Sequence, residues 1–307
     1  MEQVSVILST YNGEKYLAEL LTSILTGTYE NILIEVSDDG STDRTLQIIE
    51  EYQKKYPEKI IVHQNEKNLG YTKNFLQAAA RSKGDYIMFC DQDDIWLPDK
   101  VEKTLAKLKE VEGSENIPVL VFTDAWLYDT KKGVTTGLFH ESSHLNVKKV
   151  DISHLLIENK CIGCTVMFNK RVRAYIQVLS GKIRVHDWWI ALICSSFGKI
   201  AYLDEPTLKY RQHGGNMIGG TSFGSYFMNR LRTLKEQRQT VVRSVEQAEF
   251  FYDLFADELE TEKKQAVKAF SELMKKNWLM RRCLCIRYGF WKSGFSRNCL
   301  LYTSDAA

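Results

Sequence analysis

The sequence predicts an α/β fold: a Rossmann-like, mostly parallel sheet flanked by helices, with a helical C-terminal extension. Two observations carry this. Short apolar runs alternate with amphipathic stretches through the first hundred residues, and the strand signal fades beyond Gly220. Alternation of that kind implies right-handed crossovers onto a parallel sheet.

Residues 4–8, 32–37, 59–64 and 86–90 read as strands, the first and last apolar on both faces, as buried parallel strands are. Between them, residues 16–25 place Leu17, Leu20, Leu21, Ile24 and Leu25 on one side of a helix. Residues 42–52 space Leu46, Ile48 and Ile49 helically, and residues 75–80 continue a third helix. Pro98 suits the first position of a fourth, whose buried stripe is Val101, Leu105, Leu108 and Val111. The pattern then loosens. Residues 119–127 are strand-like, residues 131–149 read as a polar loop, and further strand-like runs follow at 164–169 and 185–195. A boundary near Gly219 and Gly220 separates residues 1–220 from an extension over 221–300. The closing LLYTSDAA is similar to translated adapter sequence, so residues 301–307 read as a non-native tail without function.

A chain of 307 residues, 44% hydrophobic and 26% charged, has room for one large domain with an appendage. Its formal charge of +2 hides an asymmetry: 26 Lys/Arg face 29 Asp/Glu in residues 1–220, against 15 and 10 beyond. The start, MEQVSVILSTYNG, lacks the basic and apolar regions of a secretory signal, and no run reaches the ~18 apolar residues of a membrane span. A cytoplasmic location is expected, with peripheral contact on the inner face of the plasma membrane. The seven cysteines offer one CxxC, Cys161 and Cys164, and no second pair at zinc-site spacing. They read as small apolar core residues in a reducing compartment.

Ligands of open parallel sheets bind at the carboxyl ends of the strands. The first strand ends in Ser9-Thr10-Tyr11-Asn12-Gly13, a turn that presents a ring and backbone amides. The second ends in Asp38-Asp39-Gly40-Ser41-Thr42-Asp43, where a carboxylate can accept a pyrimidine N–H and Ser41 or Thr42 can cap the next helix. The fourth ends in Cys90-Asp91-Gln92-Asp93-Asp94-Ile95-Trp96. Three carboxylates within four residues repel one another unless a cation sits among them, and a hard divalent ion, Mn²⁺ or Mg²⁺, shares such oxygens with substrate phosphates. Farther on, His186-Asp187-Trp188-Trp189 sets an acid beside bulky aromatics, where desolvation would raise its pKa as a general base requires. Tyr210-Arg211-Gln212-His213-Gly214-Gly215-Asn216 is a polar, glycine-loosened loop suited to phosphate, with His213 a candidate metal or phosphate ligand.

Taken in order, STYNGEKYL, DDGSTD, the segment of Asn68, Leu69, Gly70 and Asn74, CDQDDIWLPDK, HDWW and YRQHGGN resemble the inverting family 2 glycosyltransferases of GT-A fold. The closest likeness is to bacterial rhamnosyltransferases that build cell-wall or surface polysaccharide. It covers roughly residues 3–217. The resemblance implies that Thr10, Tyr11, Asn12, Asp38 and Asp39 bind the nucleotide, that Asn74 orders the donor loop, and that Asp91 faces the ribose or sugar. It further implies Asp93 and His213 as metal ligands, Arg211 at the leaving diphosphate, and Asp187 as the base. The donor would be dTDP-rhamnose or a UDP-sugar, and the acceptor a saccharide or lipid-linked saccharide. A UDP-galactose or UDP-glucose transferase and a non-catalytic nucleotide-sugar binder are the competing readings. An aspartate-nucleophile phosphatase would carry its DxD after the first strand, and a nucleotidyltransferase a basic, glycine-rich loop there; neither is present.

Between Leu273 and Leu300 stand seven basic residues and no acidic one, interleaved with Trp278, Tyr288, Phe290 and Trp291. Two readings suit this: a helix lying on an anionic leaflet, or a basic helix covering the catalytic domain with its aromatics as core. Nucleic-acid binding is not expected, since nothing upstream supports it.

Overall fold

The computed structural model describes residues 2–176, 182–212, 234–294 and 298. The expected strands and helices of the first half form as β1 (Val4–Thr10), α1 (Leu17–Leu25), β2 (Ile32–Asp38), α2 (Thr45–Lys55), β3 (Ile60–Gln64), α3 (Tyr71–Arg81) and β4 (Tyr86–Cys90). Then come β5 (Ile95–Trp96), α4 (Lys100–Glu112), β6 (Val119–Asp129), β7 (Val134–Leu138), α5 (Phe139–Ser143), α6 (Ile152–Ile157) and β8 (Val166–Asn169). The remainder comprises α7 (His186–Phe197), β9 (Lys199–Gln212), α8 (Leu234–Phe255), α9 (Thr261–Ser271) and α10 (Trp278–Tyr288).

The sheet runs β3-β2-β1-β4-β8-β6-β9-β5, with β7 on β6. β1 to β4 are parallel, as the crossovers require. β8 is antiparallel to both β4 and β6, which turns the second half into a mixed sheet. Alternate side chains feed two cores. Val4, Val6, Leu8, Met88 and Val121 pack with α1, α2 and α4 on one face. Ile7, Ile87, Phe89, Leu120 and Phe122 pack with α3, α6 and α7 on the other. That second core continues into Phe251, Phe255, Val267 and Phe270, so the C-terminal helices complete it.

Three expectations are corrected. The apolar run at 185–195 is α7, a helix buried nearly all round, where apolarity carries no period. The polar stretch 131–149 contains β7 and α5, both too short to show a pattern. Pro98 lies two residues before α4 rather than at its first position. The Gly219 and Gly220 boundary and residues 301–307 lie outside the described residues.

Candidate active site

The turns after β1 and β2 are built by saturated hydrogen bonding. Asp38 accepts from Thr10 Oγ1 (2.8 Å), Ser41 Oγ (2.5 Å) and the N–H groups of Gly40 (3.1 Å) and Ser41 (2.9 Å). Four bonds fill a carboxylate's acceptor sites. Asp39 accepts from the N–H groups of Leu69 and Gly70 (both 2.8 Å) and from Asn65 Nδ2 (2.9 Å), tying down the loop before α3. Asn74 donates to Ser9 Oγ and the Ser37 carbonyl, and accepts from Ser37 Oγ and Asn65 Nδ2. Thr10, Asp38, Asp39 and Asn74 are all buried. They form the floor, and Tyr11, 51% exposed, stands above it.

Gln92 links this floor to the carboxylate turn. Its Oε1 accepts the Tyr11 N–H (2.9 Å) and its Nε2 donates to the Tyr11 carbonyl (3.0 Å). Glycine at 13 makes room for it: a Cβ there would lie 2.3 Å from Gln92 Oε1. Asn12, at φ 50°, accepts the Thr42 N–H (2.8 Å) and so joins the two turns. Ser41 and Thr42 do not cap α2. The Ser41 hydroxyl is bound to Asp38, and Asp43 accepts the Thr45 N–H near the helix start instead.

The turn after β4 is built differently, around a fully buried carboxylate, Asp94, with one unpartnered oxygen. An oxygen of Asp91, an oxygen of Asp94 and Cys164 Sγ all lie within 4.8 Å of one another. Asp94 is fully buried; its Oδ1 accepts the Arg211 N–H (3.2 Å), while its Oδ2 has no hydrogen-bond partner. Desolvation, then repulsion from neighbouring carboxylates, raises both Asp91 and Asp94. Burial also pushes the Cys164 thiol up, so it stays protonated and is a poor ligand for a hard ion. Asp91, half-buried, and Asp94, buried, thus offer hard oxygen donors of the kind that fits a divalent cation.

Arg211, at the end of β9, braces that turn. Its Nε donates to the Asp93 carbonyl (2.7 Å) and a terminal nitrogen to Glu19 (2.6 Å). Its guanidinium lies 4.4 Å from the Tyr16 ring centroid and 5.4 Å from that of Tyr128. Only 3% of it is exposed, so this structure directs Arg211 to the turn itself rather than to open solvent. Lys100, also fully buried, donates to Thr207 Oγ1 (3.1 Å), and desolvation lowers it to about 8. His213 lies outside the described residues.

Asp187 stands in the first turn of α7, where the helix N-terminus favours a negative charge. It accepts from the Trp188 N–H (2.6 Å) and Asn159 Nδ2 (3.0 Å), with further support from the Gly163 backbone. Desolvation nevertheless outweighs those bonds and raises the carboxyl to about 7. Asp187 also adds to the repulsion on Asp91, which joins both acids in one electrostatic field. Beside it, His186 stacks on Phe75 at 4.0 Å between centroids, and burial lowers it to about 3. Gly163 permits this crowding: a Cβ there would lie 2.9 Å from His186 Nε2 and 3.4 Å from Asp187 Oδ2.

Asn159, Gly163, Gln92 and Glu19 went unread in the sequence. Asn159, Gln92 and Glu19 act across 28, 81 and 192 residues, so no local spacing marks them; only Gly163 offered a signal, as punctuation inside an apolar run.

The architecture matches solved glycosyltransferases. Staphylococcus aureus TarS 1–349 in complex with UDP-GlcNAc superimposes with a TM-score of 0.56 at 18% identity, over 91% of this chain and 82% of that one. A mannosyltransferase from Pyrobaculum calidifontis in complex with GDP-Man and Mn²⁺ gives 0.57 at 13% identity, over 98% and 79%. The fold is thus that of the GT-A glycosyltransferases. The profile described as glycosyl transferase family 2 matches residues 5–167. A dTDP-rhamnosyl transferase of Shigella flexneri is 32% identical over 69% of this chain and 73% of its own length. An uncharacterized glycosyltransferase of Haemophilus influenzae is 39% identical over 69% and 66%. The chain belongs to glycosyl transferase family 2.

Proposed function

We propose that this chain transfers a sugar, rhamnose, from a nucleoside diphosphate to a saccharide hydroxyl with inversion, in cell-wall or surface polysaccharide synthesis. The observation that carries the reading is Asp187: a buried carboxyl held near 7, beside the carboxylate turn. A general base works best with a pKa close to the ambient pH. Asp187 takes the proton of the acceptor hydroxyl as that oxygen forms its bond to the anomeric carbon. The bond from that carbon to the diphosphate oxygen breaks on the opposite face, and the electron pair leaves with the nucleotide. One backside displacement inverts the centre and needs no covalent sugar–enzyme intermediate.

The chain's other residues bind and orient. Tyr11 lies over the nucleobase, on a floor that Thr10, Asp38, Asp39, Asn12 and Asn74 hold rigid. Asp91 faces the ribose or sugar. Asp93 and His213 would hold a divalent ion beside the carboxylates of Asp91 and Asp94; such an ion would neutralise charge on a leaving diphosphate. Arg211 keeps the turn in shape. Rhamnose is favoured by the likeness to the Shigella flexneri relative.

The test is a donor-hydrolysis and binding screen of dTDP-rhamnose, UDP-glucose, UDP-galactose and UDP-N-acetylglucosamine, with Mn²⁺, Mg²⁺ or chelator. The expected result is metal-dependent binding of dTDP-rhamnose, weakened on the order of a hundredfold in Asp93→Ala. Preference for a UDP-hexose overturns the rhamnose assignment. Binding without turnover, for any acceptor, makes the protein a nucleotide-sugar binder.

A further inference from the structure

Helix α10 is apolar on two sides. Cys285 is buried, and Leu284 and Tyr288 pack against the core. The outer side carries Leu279 and Ile286, 64% and 68% exposed, with Trp278 and Met280 also open to solvent. A helix that met only water would be polar there, and exposed apolar patches of this kind mark interaction sites.

At 100° per residue, exposed Arg282 and Arg287 flank the stripe of Leu279, Cys283 and Ile286, one on each side. The Arg282 guanidinium lies 4.3 Å from the Trp278 ring centroid. No acidic residue occurs between Leu273 and Leu300. Apolar residues at the centre, cations at the seams and a tryptophan beside an arginine match the acyl, phosphate and interfacial layers of a bilayer in turn. A symmetric second copy fits poorly, because a two-fold contact would press the same arginines against each other.

We infer that the outer face of α10, centred on Leu279 and Ile286, docks on an anionic lipid bilayer. The inference rests on the glycosyl-transfer reading for its purpose: a docked enzyme meets an acceptor saccharide carried on a lipid. Among the described residues no helix is long and apolar enough to cross a membrane, so the contact is peripheral.

Vesicle co-sedimentation of the full chain under reducing conditions tests this without donor or turnover, so its failure leaves the transfer reading standing. Vesicles containing phosphatidylglycerol are expected to bind the chain, and phosphatidylcholine alone to bind it at least tenfold more weakly. Arg282→Gln and Arg287→Gln should each weaken binding about fivefold at low salt. Leu279→Ser with Ile286→Ser should abolish it, with circular dichroism, melting and hydrolysis of soluble donor unchanged. Absent binding, or binding that these substitutions leave intact, overturns the inference. A dimer in light scattering that Leu279→Ser with Ile286→Ser dissolves, with no vesicle binding, assigns the face to a second copy instead.

Discussion

The turn after β2 and the turn after β4 are both rich in aspartate, both placed at strand ends, and built to opposite rules. Asp38 and Asp39 are buried and accept seven hydrogen bonds between them. Asp94 is equally buried, yet one oxygen has no partner and neighbouring carboxylates repel it. Burial alone therefore does not define a reactive acid. A carboxylate saturated by backbone amides organises the chain, whereas one left short is available to a cation or a proton. Asp187 joins the reactive kind through burial rather than want of partners: four protein donors do not offset its desolvation.

The largest expected effect separates the two kinds. Asp187→Asn keeps the acceptor oxygen for Trp188 and Asn159 but cannot take a proton, so kcat should fall on the order of a thousandfold or more. Wild-type activity should rise with pH and reach half its plateau near pH 7, where Asp187 ionises. The stability effect has the opposite sign. The folded-state pKa lies above the unfolded one, so the folded chain binds the extra proton and stability falls as pH rises from about 4 to about 7. Asp187→Asn should therefore melt higher than wild type at pH 8 and about equally at pH 4. An equal melting difference at both pH values would place Asp187 with the saturated carboxylates.

Asp39→Ala probes the other turn. It removes the acceptor of the half-buried Leu69 and Gly70 amides and should cost on the order of 2 kcal/mol in urea unfolding, with donor affinity falling only as the loop loosens. A full-strength fold with lost binding would show instead that Asp39 meets the ligand directly. The smallest effect tests the bridge between the turns. Gly13→Ala would displace Gln92 from Tyr11 and should cost about 1 kcal/mol. In Gln92→Ala the same change should cost much less, because the collision is gone; a double-mutant cycle with no coupling would remove Gln92 from that role.

The parallel half was legible because its strands are short apolar runs and its helices carry one apolar stripe, as in α1 with Leu17, Leu20, Leu21 and Ile24. Helix α7 was not, since ten of its twelve residues are buried and a helix wrapped in protein shows no period. The long strand β9 was missed as well. Its register against β6 shifts twice, between Thr123 and Trp126, and such irregularities break the two-residue period. The acid sites stood out by composition, as aspartates at the ends of apolar strands. Their division of labour did not.

By itself the sequence determined the order of strands and helices through the first hundred residues, the aspartates at the ends of β2 and β4, and the run of cations without acids after Leu273. These are local properties: hydrophobic period, turn chemistry and charge, each legible within about a dozen residues. Only the tertiary structure decided which aspartates are saturated and which are short of partners. Their partners arrive from far along the chain: Asn159 reaches Asp187 across 28 residues, and Arg211 reaches Asp94 across 117. Desolvation depends on everything packed around a group, and no single stretch of chain contains that information.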